Sequence, residues 1–472
     1  MNPTRAAAKL FSARAGTAVV TFLGITYFAR LLNPYAMGIF FLFEALLGFL
    51  SVGADLGLTG AIEKRVSENT QPGRYLAAGI ILKLIPLSLF MLVVLIFRGA
   101  INQYIGAEVA VYLAIALLLQ EFGRLTLKTL NAELNVGKTA VLQLSRQVTW
   151  VAVGAVLIEF GYGVMGLIYG YLAGFVLMFT WGLYRTSTAL KPPARSHARS
   201  LFDYSKYNFV SFSLAGYSYS WIDVALIGFF LSQSAVGAYE IAWRVTLLTT
   251  LLSEAIGTTI FPQISRWAER GEMKKIEDII TQSITPSVAL VIPATFGVWL
   301  LGDEILGVVF GSEYATAGLA LLILMIEKIF RSVHVIIGHT LQAIDRPDLA
   351  ARAAVLSILV NMILNLVLIP PFGIVGAAVA TATSFIINTV LHGLYLSKFV
   401  TVKLPYSEIG WSVVASTVMT AVLLGVTPFV DQTSLIGVIL LIGCGTVTYG
   451  VILLAWPDIR LRINRQIQQL LS

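Results

Sequence analysis

The sequence predicts an all-α protein that crosses a membrane about fourteen times. Of its 472 residues, 57% are hydrophobic and only 12% are charged, and the mean hydropathy is +0.83. Soluble domains carry roughly 25% charged residues, so this chain has too little polar surface to cover a water-facing core of such size. Because Cys444 is the only cysteine, a disulfide scaffold is excluded. The net charge of +7 comes from cations in short clusters between apolar runs, which is typical of membrane topology; we expect no nucleic-acid partner.

The individual spans follow from the length of the apolar runs. A bilayer core about 30 Å thick needs roughly 20 apolar residues for each helical span. The predicted spans are 14–32, 36–58, 75–97, 109–131, 139–159, 163–185, 206–231, 236–262, 283–302, 315–338, 352–371, 374–397, 408–429 and 434–456. The first run superficially resembles a signal peptide, but it is long, Arg30 closes it and more spans follow, so we interpret it as a retained helix.

The distribution of cations predicts the orientation of these spans. Of the 32 Lys and Arg residues, 25 lie in or beside the connections that share a side with the N-terminus. The opposite connections hold only Arg30 and Arg98. Since cytoplasmic connections are enriched in Lys and Arg, both termini are predicted to be cytoplasmic. We expect a multi-pass protein of the inner or plasma membrane.

Short internal matches predict a repeated unit. Ala36-Met37-Gly38 resembles Ala235-Val236-Gly237, and Asp55 then falls on Glu254. Two more matches keep the order at nearly the same offset: Leu130-Asn131-Ala132 with Leu341-Gln342-Ala343, and Gly163-Val164-Met165-Gly166 with Gly373-Ile374-Val375-Gly376. We therefore predict a six-helix lobe at 1–200, a second at 201–400, and two added spans with a short cytoplasmic tail at 401–472. An even-numbered repeat keeps its orientation, so the lobes should be related by a pseudo-twofold axis along the membrane normal.

Several motifs also carry a family resemblance. They are Ala29-Arg30-Leu31-Leu32-Asn33-Pro34, then Gly38, Ala54-Asp55-Leu56-Gly57-Leu58, Val236-Gly237-Ala238-Tyr239, Phe261-Pro262-Gln263-Ile264-Ser265 and Ile369-Pro370-Pro371-Phe372-Gly373-Ile374-Val375-Gly376-Ala377-Ala378. In this order they resemble the polysaccharide flippases of the multidrug/oligosaccharidyl-lipid/polysaccharide exporter superfamily, over nearly the whole chain. The resemblance implies export of a polyprenyl-(di)phosphate-linked oligosaccharide by two lobes that rock around a central cavity. It also implies membrane lipids as surroundings and glycosyltransferases or a polymerase of the same pathway as possible partners.

Two other functions stay open at this point. A cation-coupled multidrug antiporter of the same superfamily would use carboxylates for its coupling ion, although the basic excess within the spans argues against an organic cation as substrate. A membrane glycosyltransferase or polysaccharide polymerase would need a large outer loop or an acidic outer motif, and the outer connections are nearly all very short. Gly137-Lys138-Thr139 lacks the earlier glycine of a phosphate-binding loop, and no Cys/His cluster has metal spacing. We therefore predict a transporter without a catalytic residue, cofactor or metal.

Charges inside the spans of the first lobe are the main candidates for binding a substrate. Ionisable groups in lipid are costly and should face protein or a water-filled cavity. The candidates are Arg14, Lys83, Arg124 and Arg146, which together could form a basic vestibule for a lipid-linked diphosphate, since Arg binds phosphate oxygens bidentately. The alternative is that these long side chains reach the headgroups by snorkelling.

The second lobe has a different arrangement of charges. Glu240 with Arg244, and Glu327 with Arg331, are spaced i, i+4 and are expected to pair on one helix face. Lys328 has no obvious partner on its own span, which makes it the stronger substrate candidate. Arg244 and Arg331 are further substrate candidates if these pairs are more than structural.

Two more sets of polar residues complete the predicted site. Hydroxyl and amide side chains at helical spacing could contact sugars, although small polar residues also permit close helix packing; they are Thr17, Thr21, Asn208, Ser211 and Ser218. Carboxylates that could couple an ion or gate the cavity are Glu44, Asp55, Asp223, Glu240 and Glu254.

Overall fold

The architecture is built from apolar helices and short connections. A computed structural model describes residues 3–208, 214–457 and 460, and the side chains within 16–135, 137–206 and 221–457 and of residue 460. Across this described part of the chain the secondary structure is helical, without a β-strand. The α-helices are α1 (Pro3–Leu31), α2 (Pro34–Asp55), α3 (Leu58–Ser67), α4 (Pro72–Ile96), α5 (Arg98–Ile105), α6 (Ala110–Ala132), α7 (Val136–Glu159), α8 (Gly163–Arg185), α9 (Arg195–Asn208), α10 (Leu214–Phe230), α11 (Gln233–Leu247), α12 (Leu251–Glu269), α13 (Met273–Val288), α14 (Val291–Phe310), α15 (Gly318–Ala343), α16 (Pro347–Leu396), α17 (Tyr406–Val426) and α18 (Leu435–Leu454).

The prediction of an all-α polytopic membrane protein is confirmed. Among the described residues, 10 helical segments are long and apolar enough to cross a membrane, and Gly16–Leu31 and Trp221–Phe230 are shorter apolar helices. Within the described residues the predicted spans fall on helices, although 236–262 and 283–302 each extend over two of them, and the count of fourteen is not confirmed. Four predicted spans account for the difference: two correspond to these shorter helices, one to α15, which carries three charged residues at its middle, and one is merged with its neighbour in α16.

The 50 residues of α16 reverse direction at a glycine. Gly373 has φ 59° and ψ −140°, a conformation open to glycine but not to other residues, and two prolines precede it. Asn361 Nδ2 donates to Thr381 Oγ1 over 3.3 Å, although the two residues are 20 positions apart. A straight helix would separate them by about 30 Å, so α16 is a helical hairpin. The sequence-based division into two spans at this point is therefore correct.

Segments that match in sequence also share their turn geometry. Leu134 and Asp345 both have a positive φ, of 59° and 62°. The next residue in each case donates its backbone N–H to a carbonyl oxygen in the last turn of the preceding helix. Asn135 donates to Leu130 O and Arg346 to Leu341 O, both over 2.9 Å. Gly163 at the start of α8 has a positive φ like Gly373. These agreements support the predicted repeat, while the pseudo-twofold relation of the lobes stays a prediction.

The chain divides into two compact units, 1–237 and 238–472. In the first unit α2, α3, α4 and α6 pack together, α7 and α8 form a tight hairpin, and α1 lies along α7. This unit also contains α10, which packs on α2. In the second unit α15 packs against α12, α14 and α16, and α17 pairs with α18. The predicted lobe boundaries at 200 and 400 stay predictions.

Candidate functional site

A large polar cavity lies within the first unit. Its volume is about 1280 Å³, and its walls come from α1, α2, α3, α6, α7, α8 and α9. Because so many hydroxyl, amide and charged groups face it, the cavity is suited to a hydrated or polar ligand. Its polar and aromatic lining residues are Thr17, Ser51, Asp55, Thr59, Glu63, Lys64, Ser67, Gln120, Arg124, Lys128, Asn131, Thr139, Gln143, Arg146, Tyr171, Phe175 and Tyr204.

Arg146 projects from α7 into this cavity. Its Nη2 donates to Gln147 Oε1 over 2.8 Å, and its guanidinium carbon lies 5.1 Å from the ring centre of Phe175 and 5.9 Å from that of Tyr171. The contacts of Arg146 within the described residues include no carboxylate. Rings that stack on a guanidinium orient it and partly compensate its charge. Among the described residues, Arg146 is therefore a cation that is held in place without a carboxylate contact.

Lys83 occupies a different position from the one expected of it. Its side chain is 0% exposed, and its ammonium forms ion pairs with Asp55 and with Glu121, the latter over 2.6 Å to Oε2. It also donates to Thr59 Oγ1 over 2.6 Å. Asp55 and Thr59 accept hydrogen bonds from the ammonium and Glu121 adds a second ion pair, so this cation is enclosed by its partners. The expectation that Lys83 faces the cavity is wrong: α2, α3 and α6 enclose it.

Arg124 connects this buried ion-pair cluster to the cavity. Its side chain is 34% exposed, its Nη1 donates to Ser51 Oγ over 2.5 Å, and it lies 3.7 Å from Glu121 Oε1. Ser51 in turn donates to the same Glu121 oxygen. Glu121 is completely buried. Arg124 therefore faces the cavity and contacts the cluster, as a snorkelling side chain would not.

The two other cations that line the cavity, Lys128 and Lys64, contact neighbouring side chains. Lys128 Nζ pairs with Glu63 Oε2 at 2.7 Å, with both side chains partly exposed. Lys64 Nζ lies 4.4 Å from the ring centre of Tyr204. With Arg124 and Arg146 these make four cations against Asp55 and Glu63 among the lining residues, so the cavity wall is positively charged.

Of the residues predicted to contact sugars, only Thr17 and Thr21 have described side chains. Thr17 lines the cavity, whereas Thr21 donates to Thr17 O over 2.7 Å, within its own helix. Ser211 and the side chains of Asn208 and Ser218 lie outside the described residues, as does the side chain of Arg14. Polar groups that the sequence analysis did not select, Gln120 and Gln143 among them, line the same cavity.

In the second unit one predicted ion pair forms and the other does not. Arg244 Nε lies 3.1 Å from Glu240 Oε1, as the i, i+4 spacing predicts. Glu327 instead pairs with Lys328, with 2.5 Å between Oε2 and Nζ and both side chains 0% exposed. Lys328 also lies 3.6 Å from the ring centre of Trp243.

The interpretation of Lys328 as a cation without a partner is therefore wrong, and so is the pairing of Glu327 with Arg331. Arg331 turns to α12, where Glu254 lies 4.0 Å away, and it stacks over Phe385 at 5.2 Å. Both errors have one cause. The i, i+4 rule describes an exposed helix, whereas here Trp243, Glu254 and Phe385 on other helices contact the two cations and leave Glu327 to pair with the residue next to it.

The other candidate carboxylates lie in varied surroundings. Asp223 on α10 is completely buried, and Glu44 on α2 accepts a hydrogen bond from the Tyr171 hydroxyl over 3.4 Å. Glu254 is partly exposed beside Arg331. Among the described residues, no group of three or more His, Cys, Asp or Glu side chains is arranged to hold a metal ion.

Sequence reasoning missed the groups that organise the site. Glu121 carries a detectable signal, because a carboxylate inside predicted span 4 is as costly in lipid as the cations that were selected. The rings of Tyr171 and Phe175 carry no such signal, since aromatic residues are common throughout these spans. Their contact with Arg146 depends on how closely α8 approaches α7 at Gly174, where a Cβ would lie 2.7 Å from the Arg146 carbonyl oxygen.

Comparisons with known proteins agree with this architecture. Residues 27–319 match a family described as "Polysaccharide biosynthesis protein". The probable low-salt glycan biosynthesis flippase Agl15 of Haloferax volcanii is 54% identical over 98% of this chain and 97% of its own length. The probable flippase AglR of the same organism is 31% identical over 99% and 98%.

A solved structure extends the comparison to the fold. The lipid II flippase MurJ, in an inward closed conformation, superposes with a TM-score of 0.79 at 17% identity, covering 94% of this chain and 98% of its own. The relatives are named as flippases, in agreement with a transporter rather than an enzyme. The chain belongs to the polysaccharide biosynthesis protein family, among the flippases of the multidrug/oligosaccharidyl-lipid/polysaccharide exporter superfamily.

Proposed function

We propose that this protein flips a polyprenyl-(di)phosphate-linked oligosaccharide from the cytoplasmic to the outer leaflet, with the phosphate bound at Arg146. The observation that carries the proposal is the state of Arg146: a cavity-facing guanidinium, oriented by Phe175 and Tyr171, whose described contacts include no carboxylate. A charge in such a place calls for an anion. The phosphate of a lipid carrier supplies it, in the bidentate geometry that a guanidinium favours.

The rest of the cavity suits the sugar portion of such a ligand. Gln120, Asn131 and Gln143 offer amide donors and acceptors, and Thr17 offers a hydroxyl. Tyr171 and Tyr204 add ring faces. The polyprenyl tail stays in the bilayer throughout, because each buried CH₂ favours the apolar phase by about 0.8 kcal/mol. Alternation between inward and outward exposure then moves only the head group.

The names of the relatives give this proposal its context. Agl15 is named as a probable flippase of glycan biosynthesis and MurJ as a flippase for lipid II. Enzymes that build and consume such a glycan, glycosyltransferases or a polymerase, are the expected partners. The cationic excess on the cavity wall disfavours the multidrug antiporter, since an organic cation would be repelled.

The test is a flipping assay with purified protein in liposomes that contain a fluorescent polyprenyl-diphosphate-linked oligosaccharide. Loss of two charge-assisted hydrogen bonds in Arg146→Ala should slow flipping by at least about tenfold. Arg146→Lys should recover it partly, because Lys keeps the charge but not the fork. Arg185→Ala is the matched control, since Arg185 lies over Trp181 and does not line the cavity. Wild-type flipping by folded Arg146→Ala would contradict the assignment.

A further inference from the structure

The buried cluster beneath the cavity is balanced in charge only when Arg124 is counted. Lys83 and Arg124 supply two positive charges, and Asp55 and Glu121 supply two negative ones. Without Arg124, two carboxylates share one ammonium. A buried carboxylate without a full counter-charge is costly, so the position of Arg124 controls the charge balance of the whole cluster.

Of the two cations, only Arg124 can leave the cluster at low cost. Lys83 is fully buried and held by three partners, of which Glu121 and Thr59 are both at 2.6 Å. Arg124 is 34% exposed, lies 3.7 Å from Glu121 and lines the same cavity as Arg146. An anion bound at Arg146 therefore has a second guanidinium within the same cavity that can turn toward it.

We propose that binding of the anionic head group draws Arg124 away from Glu121, and that the Asp55–Glu121 pair then takes up one proton. This rests on the function proposed above. The proton comes from water in the cavity and adds to a carboxylate oxygen, so that one ammonium faces one carboxylate and one carboxylic acid. When the head group leaves and Arg124 returns, the same proton is released. Transport of each head group is thus linked to movement of a proton.

The surroundings of the pair support a single exchangeable proton. The groups that face the two carboxylates are Lys83 from α4, Thr59 from α3, Ser51 from α2 and Arg124 from α6. The next charges along these helices, Glu63 and Lys128, already neutralise each other at 2.7 Å. The other cations that line the cavity are Arg146 on α7, whose contacts are with Gln147 and aromatic rings, and Lys64 on α3, which lies over the ring of Tyr204.

The first experiment needs no ligand. Arg124→Gln imitates the departure of Arg124, so the infrared difference spectrum of folded variant minus wild type should gain the carbonyl band of a protonated carboxylic acid. The added change Asp55→Asn, or Glu121→Gln, should remove this band, because one carboxylate is then enough for Lys83. A folded Arg124→Gln variant without the band would overturn the proposal.

The second experiment measures protons on binding. Titration calorimetry of the full-length protein with farnesyl diphosphate, in buffers of different ionisation enthalpy, should show about one more proton taken up per bound probe by wild type than by Glu121→Gln or Asp55→Asn. The probe's own proton exchange cancels in this difference. Arg185→Gln, at a residue that does not line the cavity, is the control and should keep the wild-type value.

The two proposals fail in different ways. Equal proton numbers in wild type and in both carboxylate variants overturn the proton linkage but leave the binding function intact. If farnesyl diphosphate does not bind to the wild type, the proposed function fails, and the infrared experiment still decides whether the cluster takes up a proton when Arg124 leaves.

Discussion

Gly38 and Gly237 pack against each other's helix start in a reciprocal way. A Cβ on Gly38 would collide with the carbonyl oxygen of Gln233, and a Cβ on Gly237 would collide with that of Pro34. The same Cβ on Gly237 would lie 3.1 Å from the Gly38 nitrogen. Pro34 and Gln233 begin α2 and α11. Each glycine thus faces the first residue of the other helix, and the match between residues 36–38 and 235–237 is explained by this contact.

We expect Gly38→Ala and Gly237→Ala to destabilise the protein. Each added methyl meets backbone rather than a mobile side chain, so overpacking should cost about 1–3 kcal/mol or more. Gly443→Ala is the matched control, because nothing lies within 4 Å of its Cβ position and alanine favours a helix by up to about 1 kcal/mol. Thermal unfolding in detergent should rank the two contact variants below wild type and the control at or above it. An unchanged midpoint for Gly38→Ala would refute the close approach.

Removal of Lys328 should unfold the second unit more readily. Glu327 and Lys328 are both completely buried and 2.5 Å apart, so Lys328→Met leaves a buried carboxylate uncompensated at a cost of about 3–5 kcal/mol. Glu327→Gln combined with Lys328→Met should recover most of this loss. The measurement is the amount of folded protein in the membrane. If the double variant is as depleted as Lys328→Met, the pair does not account for the loss.

Helix placement could be predicted because it depends on local properties. The length of each apolar run and the turn residues Gly163 and Gly373 indicate where the chain enters, leaves and reverses. The hairpin of α16 was predicted correctly for this reason, as was the Glu240–Arg244 pair within α11.

Partners on different helices could not be predicted in this way. The carboxylates that hold Lys83 come from α2 and α6, and the rotation of each helix about its axis decides whether they meet. The spacing between Glu327 and Arg331 favours their pairing, yet Trp243 and Glu254 on other helices redirect both neighbouring cations. A single sequence does not predict these helix rotations.

The connection that follows α8 should be held in a pH-dependent way by Glu133. This carboxylate, just after α6, accepts hydrogen bonds from Ser187 N at 2.9 Å and from Thr188 N at 2.8 Å. Burial alone would raise the pKa of Glu133, but these bonds and one from the Thr188 hydroxyl outweigh it and hold the pKa below its usual value. Because the pKa is lowered on folding, the ionised Glu133 stabilises the folded state fully above the pKa of the unfolded chain, about 4.3. This stabilisation is lost as the pH falls through the lower pKa of the folded protein.

Hydrogen exchange at the amides of Ser187 and Thr188, corrected for intrinsic rates, measures this anchor. Protection should persist at neutral pH and fall only in acid of about pH 4 or below. Glu133→Gln should weaken protection at neutral pH, since hydrogen bonds to a charged acceptor are roughly twice as strong. Glu108→Gln, in the connection before α6, should leave it unchanged. Full protection in Glu133→Gln at pH 7 would rule out the charged anchor.

The predicted orientation determines which side delivers the head group, and labelling can test it. Positive residues in alternate connections predict that both termini are cytoplasmic, so Lys191 after α8 should be inside and Gln103 in α5 outside; both are exposed. With Cys444, the only native cysteine, changed to alanine, a membrane-impermeant maleimide on intact cells should label Gln103→Cys but not Lys191→Cys. Permeabilised cells should show both labels, which controls for reactivity. Labelling of Lys191→Cys in intact cells would show that the topology is the reverse of the predicted one. The head group could then not enter this cavity from the cytoplasm.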